Sequence, residues 1–564
     1  MPGDGQHGLG SDGTEGSSAT RVGPAGRPSE PPETGTPRAA RRRDWGPWLV
    51  AAAVLAVYLP ISLFRYLQLN PSSWDLGIFT ELVKQYAHLH APVADVRGAG
   101  FNLLGDHFSP IVALIAPLFL LVPSPGTLLV VQAFLTALSV LPVTWAAQEK
   151  LGRRAGLAIG AAYGFSWGLQ QMVNFDFHEI AFAVPLLAFS MSALVRGRYR
   201  ACVGWALPLV FVKEDQGFTV AAIGFLMIIV SQWRDRTARA APSSLSAPAG
   251  APGDGEDRSG RAAVFGGQFL IIWGIAWSVV AIGVIIPHFN PAHHYQYWSD
   301  GGALSPGGQF SAGAAAHQLF TAWPTKLQTT LMILLPTAFI ALWSPLSLIV
   351  LPSMLLRFFG TNSNYWSTDW HYNATVMPIL FIAAIDAVAR IRAERAGSPP
   401  GEHPENGSSA AATGEHRALW RQAGPAGLVG PVRAAIDRHG AAAMLAIGVA
   451  LVFQFPVSNL WNPLTYHIGS HVTAANGAMA KVPDGATVTT TLDLLAPLAA
   501  RTDTFWIGNA GNPNTTYIVF DGQNSGYSPA PTDIPAFVAG QHPGVRYQVI
   551  YDVDDVYVFR LASR

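Results

Sequence analysis

RRRDWGPWLVAAAVLAVYLPISLFRYL (41–67) decides the fold class. From Trp45 to Leu67 the run carries one charge, Arg65. At about 1.5 Å per helical residue it is long enough to cross a bilayer core ~30 Å thick. Arg41, Arg42 and Arg43 stand immediately before it, which by the positive-inside rule keeps the N-terminus in the cytoplasm. No cleavable signal peptide precedes the run, so it is expected to serve as both targeting signal and first span.

The rest of the composition follows suit. Half of the 564 residues are hydrophobic and 12% are charged, against roughly 25% charged in soluble domains. The formal net charge is zero, so nucleic acid is not an expected partner. The single cysteine, Cys202, lies in an apolar run; it excludes an intramolecular disulfide and reads as a small core residue. The abundance of Ala, Gly, Arg and Pro suggests a high-GC bacterium.

Scanning outward from the first span gives further candidates at 126–147, 155–173, 180–195, 200–212, 217–233, 263–287, 327–343, 345–359, 373–391 and 440–457. The expectation is an all-α polytopic bundle of about eleven transmembrane helices. The basic segments 150–154, 196–200, 234–262 and 392–439 then all fall inside. The apolar run 108–122 is bounded by Pro123 and Pro125 and is short for a crossing. A full crossing would invert every later loop, so it is read as a re-entrant or partial element.

This yields a domain plan. Residues 1–44 form a disordered cytoplasmic N-terminus, and 45–233 a first transmembrane module with an outer loop at 70–107. A second module spans 263–391, between low-complexity linkers at 234–262 and 392–439 that are expected to be disordered and cytoplasmic. After the last span, 440–457, residues 458–564 read as a small extracytoplasmic α/β or mostly β domain. Its strand signals are ATVTTTL, TYIVFD, VRYQVIYD and DVYVFRL, separated by turn residues.

Ionisable residues near membrane depth are costly to keep, so each is a functional candidate. The outer loop contains SSWDLGIFTELVKQYAHLH (72–90), in which apolar residues recur at helical spacing and suggest a surface helix. Asp75 at its start either caps that helix or performs chemistry. The same loop closes with Asp106 and His107. NFDFHEI (174–180) offers Asp176, His178 and Glu179 for acid–base work or metal ligation, against the bland reading of a polar loop. FVKEDQG (211–217) offers Lys213, Glu214 and Asp215, either functional or an ion pair pinning two helices. YWSTDWHYNA (365–374) brings His371 and Tyr372 with Trp366 and Trp370, suited to an aromatic belt or to sugar stacking. His293 and His294 read as a solvated loop. One charge-derived topology sets all these clusters on the outer side.

WDLGIF, GDHFSPI, FDFHEIAFAVPLLAF, VKEDQG and HYNA together resemble the bacterial membrane family named domain of unknown function 2079, over roughly 45–230 and 265–560. That family is in turn similar to the GT-C superfamily of membrane glycosyltransferases. The resemblance implies a GT-C-like bundle in the bacterial cytoplasmic membrane, using a polyprenyl-phosphate-linked sugar as donor. The acceptor, a glycan, lipid or protein, is left open. It also implies that Asp75 is the catalytic base, with Asp106 and His107 closing its loop. His178 and Glu179 would orient donor or acceptor, and Lys213 or Arg357 would neutralise the departing phosphate. The first loop has no DxD pair, so a divalent metal remains an open question. A transporter or flippase using the same buried charges, and a non-catalytic scaffold, are the rival readings.

Overall fold

The computed structural model describes residues 44–240, 254–299, 312–396, 425–527 and 529–563. Residues 1–43 of the segment expected to be disordered at 1–44, and the centres of both linkers, lie outside these residues. At the linker edges the chain is helical, with α9 (Gln216–Ala240) and α10 (Asp254–Val280) running past the boundaries drawn from sequence.

Among the described residues, five helices are long and apolar enough to cross a membrane: Gly46–Leu67, Pro125–Leu151, Gly260–Phe289, His371–Arg395 and Gly430–Val452. Five apolar helices are shorter: Pro110–Leu121, Glu179–Val195, Tyr199–Phe211, Gln216–Gln232 and Pro345–Phe359. Two stretches expected as single spans are broken. The stretch 155–173 divides at Phe165–Ser166, where Ser166 turns extended and starts a new helix. The stretch 327–343 breaks beyond Pro336, because Ala338 and Phe339 adopt left-handed backbone. Among the described residues, five helices rather than eleven are thus long and apolar enough to cross uninterrupted.

In chain order the first helices are α1 (Gly46–Leu67), α2 (Asp75–Ala87), α3 (Ala116–Leu121), α4 (Pro125–Leu151), α5 (Arg153–Gly164), α6 (Trp167–Phe175), α7 (Ala183–Val195) and α8 (Tyr199–Ala206). A tight 3-10 stretch, Pro110–Ile115, leads into α3. The two together rise roughly 20 Å, less than a bilayer core. They pack on α2 and leave Leu114, Leu118, Leu120, Leu121 and Val122 exposed. The helix Val376–Ala396 is apolar around most of its circumference and sits among α4, α5 and α7, as helices without a polar face must.

Glycines let two of the helices meet closely. Gly217 faces Gly274 and Gly224 faces Gly267 across the antiparallel pair α9 and α10. A Cβ added at Gly217 would stand 2.2 Å from the Gly274 carbonyl oxygen, and one at Gly224 would stand 2.5 Å from that of Gly267. Small residues repeated on one face let two backbones approach in this way. α10 then passes through a π turn at Ala281–Ile285 into Ile286–Phe289.

The C-terminal segment forms a five-stranded mixed sheet in the order β2-β1-β3-β5-β4. Its strands are β1 (Thr487–Thr490), β2 (Asp503–Trp506), β3 (Tyr517–Asp521), β4 (Arg546–Val553) and β5 (Val556–Ser563). The first three run parallel, with the helix Leu495–Ala499 between β1 and β2 and a helix-free connection from β2 to β3, so the tail is α/β. β4 and β5 form a hairpin whose turn residues Asp554 and Asp555 both have positive φ, the twist-matched geometry that short polar side chains tolerate. The tail packs directly on α2. Leu495, Ala496 and Ala499 share the bundle's core, Trp74 meets Trp506 edge-on at 4.9 Å, and the Lys84 ammonium donates to the Thr502 carbonyl at 2.6 Å.

Candidate active site

The site is built where three connections between helices meet the head of α2. The first runs from the end of α6 to the start of α7. Gln132, fully buried in the apolar α4, fixes it: the side-chain amide donates to the carbonyls of Met172 and Asp176, and its oxygen accepts the His178 amide at 3.1 Å. An irregular backbone at this depth needs such a partner.

Asp176 in turn holds α2. Its Oδ2 accepts the amides of Ser72 and Ser73 at 2.9 and 3.0 Å. Burial raises its carboxyl to about 8, the nearby Arg65 cation opposing and Asp75 reinforcing that rise. Arg65 donates to the carbonyls of Asn70 and Asn174 and to the Ser72 hydroxyl. The capping position belongs to Trp74, and no side chain caps the helix. Asp75 is therefore the first helical residue, hydrogen-bonded by the Ser73 hydroxyl. Burial lifts its pKa above the ordinary carboxylate value. His178 and Lys213 pull against that shift, and Glu179 adds to it. A base lifted toward neutrality is better matched to proton abstraction.

Glu179 is wholly buried, with His178 Nδ1 at 2.7 Å on one side and Lys213 Nζ at 3.1 Å on the other. The His178 ring stacks on His371 at 3.9 Å, and His371 meets Tyr372 at 4.1 Å. The Arg357 guanidinium lies 5.7 Å from the Tyr372 ring centre and donates to Tyr365 O at 3.0 Å and Asn373 Oδ1 at 3.1 Å. Its Nη2 and both His371 ring nitrogens are buried without a hydrogen-bond partner. A buried N–H of a charged group costs free energy unless something accepts from it.

The remaining expected residues form a clamp beside this centre. Glu214 accepts from Phe108 N at 3.1 Å and the Tyr295 hydroxyl at 2.9 Å, and lies 2.8 Å from His107 Nδ1. Burial alone would raise its pKa, but His107 and Lys213 hold it at about 2. Asp106 accepts the Tyr297 hydroxyl at 3.0 Å and pairs with Arg97 at 3.4 Å. Asp215 accepts from the Gln216 amide. The Ser278 hydroxyl on α10 donates to the Glu214 carbonyl at 2.7 Å, so the glycine-paired helices position this connection. Gly105 allows the loop after α2 to touch the segment after α10, since a Cβ there would stand 2.6 Å from the backbone of Phe289 and Asn290.

Sequence reasoning thus named the centre but missed its supports. Gln132, Arg65, Ser73, Tyr295 and Tyr297 carry no motif. Gln132 alone left a signal, as an isolated polar residue in an apolar span. His293 and His294 are exposed and apart from the cluster. Among the described residues no group of three or more His, Cys, Asp or Glu converges as a metal ion would require.

The family model described as "Predicted membrane protein (DUF2079)" matches residues 65–525. The chain belongs to this family. The matched region begins at Arg65 and includes the whole centre and the first three strands of the tail. Among solved structures, ArnT from Cupriavidus metallidurans bound to undecaprenyl phosphate is similar at 13% identity and a TM-score of 0.49, covering 92% of this chain and 98% of its own. The oligosaccharyltransferase of Archaeoglobus fulgidus is similar at 10% identity and a TM-score of 0.34, covering 85% of this chain and 70% of its own. No curated protein sequence matches.

Proposed function

We propose that this membrane protein transfers a sugar from a polyprenyl-phosphate donor to an acceptor hydroxyl on the outer face of the cytoplasmic membrane. One observation carries the reading. The half-buried carboxyl of Asp75 is within electrostatic reach of Lys213, and Arg357, whose Nη2 lacks an acceptor, acts together with Lys213 on the adjoining His371 and Tyr372. Base and cations are the two components that glycosyl transfer from a phosphate needs. Asp75 takes the proton of the acceptor hydroxyl as its oxygen attacks the anomeric carbon. The bond from that carbon to the phosphate oxygen breaks, and polyprenyl phosphate leaves with the electron pair. Lys213 and Arg357 offset the charge that develops on it. His178 pairs with Glu179 and stacks on His371, which in turn meets Tyr372. Attack opposite the leaving group inverts the anomeric centre.

In this reading the basic clusters keep the N-terminus inside and the tail outside. The test is mass spectrometry of envelope lipids and glycans in a deletion strain complemented with wild type or Asp75→Asn. Wild type should restore a glycan that Asp75→Asn does not. Restoration by both, at equal protein levels, would falsify the catalytic assignment.

A further inference from the structure

The chain that joins the last long apolar helix, Gly430–Val452, to the tail is apolar on both of its sides. Residues 440–480 contain no Asp, Glu, Lys or Arg. Within them, 453–468 forms a strap of two short 3-10 turns, Pro456–Trp461 and Pro463–Tyr466, laid against α1 and α6.

One side of the strap is keyed into the bundle. The Phe455 ring stacks on Trp167 at 5.4 Å, and the amide of the buried Val457 donates to the Gln170 side-chain oxygen at 3.0 Å. The other side presents Phe453, Trp461, Leu464, Tyr466 and Ile468, all exposed. Phe453 and Trp461 stack on each other at 5.5 Å. A contiguous apolar surface of this kind marks a contact with something other than water.

The backbone of the strap is largely satisfied from within the chain. The Gln68 side-chain amide, just past the end of α1, lies within 3.1 Å of the carbonyls of Leu464, Thr465 and His467. The Thr465 hydroxyl donates to the Asn459 carbonyl at 2.6 Å, and the Tyr466 hydroxyl to that of Leu460 at 2.8 Å. Irregular backbone that keeps its carbonyls bonded tolerates surroundings poorer in water than bulk.

Lipid is the occupant these surroundings favour. Phe453 follows directly on Val452 and continues the exposed apolar face to which Val449 belongs within the span. Trp and Tyr at the end of a span sit at headgroup level, where an apolar body and a polar tip both find partners. A protein interface is rimmed by polar and charged groups, and the strap has no Asp, Glu, Lys or Arg to form such a rim. We infer that residues 453–468 are an interfacial anchor, lying in the headgroup region of the leaflet on the tail's side and seating the tail on the membrane. Phe64 meets Tyr466 edge-on at 4.9 Å, so the anchor also holds the end of α1, from which the chain runs to the head of α2.

The single cysteine, Cys202, is buried, so a nitroxide attaches selectively to a cysteine placed on the surface. Leu464→Cys is compared, in the full chain in nanodiscs, with Leu49→Cys, exposed on the first span, and Asp484→Cys, exposed in the tail. Collisions with oxygen, which concentrates in lipid, are measured against those with a water-soluble nickel chelate. The expected oxygen-to-nickel ratio at 464 is shifted from the Asp484→Cys value toward the Leu49→Cys value. Nickel access equal to that at 484 places the strap in water, and protection from both colliders places it against protein. Either result overturns the anchor. A label-free arm guards against a nitroxide that seeks lipid by itself. The emission difference between wild type and Trp461→Phe should be quenched in bilayers of brominated lipid, and its persistence there also overturns the anchor.

Discussion

Replacing Glu81 by Gln probes how α2 is held, without any knowledge of the substrate. Glu81 is completely buried; one carboxyl oxygen accepts the Val96 amide at 3.0 Å and the other has no partner. Burial pushes its pKa up to about 8, against the opposing pull of Lys84 and the Val96 amide. The side chain is thus neutral in the fold and ionises near its ordinary value once exposed. For a carboxyl raised in this way, the stabilisation is fully present below the unfolded pKa of about 4.3. It is lost as pH rises toward the folded value. Between about pH 5 and about pH 8, the equilibrium for local openings that wet Glu81 should grow by about four hundredfold. Glu81→Gln keeps an acceptor for Val96 and removes the ionisation, so its opening should be independent of pH over that window. Hydrogen exchange at amides 93–103 of the full chain in nanodiscs, corrected for the chemical pH dependence of exchange, reads this directly. Equal pH dependence in wild type and variant would refute the assignment of a neutral buried carboxyl.

Two further substitutions test other parts of the argument. Gly274→Leu would place its Cβ 2.2 Å from the Gly217 carbonyl oxygen and force α9 and α10 apart. A cost of about 1–3 kcal/mol or more is expected, seen as a lower Tm in detergent. Gly283→Ala, in the π turn that follows α10 and with nothing within 4 Å, is the control that should not shift. Arg357→Lys keeps the charge but loses the planar fork that bonds Tyr365 and Asn373. The product glycan should fall sharply at unchanged protein level, and a wild-type amount would remove Arg357 from the phosphate-binding role.

Most of the bundle and the centre of the site were legible because their signals are local. An apolar run announces a helix, and an ionisable residue beside one is conspicuous. Asp75, His178, Glu179, Lys213 and His371 were named on those grounds, and the chain brings them together. The breaks at Phe165–Ser166 and Ala338–Phe339 were not legible. Hydropathy measures partition into the bilayer and is blind to a change of helix axis that neighbouring packing imposes. β2 was also missed; TDTFW (502–506) is a short run, and its strand identity comes from pairing with β1 rather than from its own pattern. Gln132 and Ser73 escaped because their roles depend on partners tens to hundreds of residues away. The four glycines of α9 and α10 were readable in principle. Each helix repeats its pair at seven residues, but nothing in either sequence alone says which other helix it meets.

The head of α2 is where these long-range dependences converge. α2 has thirteen residues, and isolated helices of about that length are marginal in water. Its position is therefore set by what surrounds it: Asp176 binding the Ser72 and Ser73 amides from below, and Trp506, Leu495 and the Thr502 carbonyl gripping it from the tail. Deleting the tail would release α2 and carry Asp75 away from Lys213 and His178. An enzyme and a scaffold would both fail that deletion, although only the scaffold reading depends on the tail for its own sake. Asp75→Asn leaves the contacts of α2 with Asp176 and the tail in place and keeps an acceptor for the Ser73 hydroxyl, while abolishing the proton-accepting carboxylate. That single change, read against intact protein levels, separates sugar transfer from scaffolding.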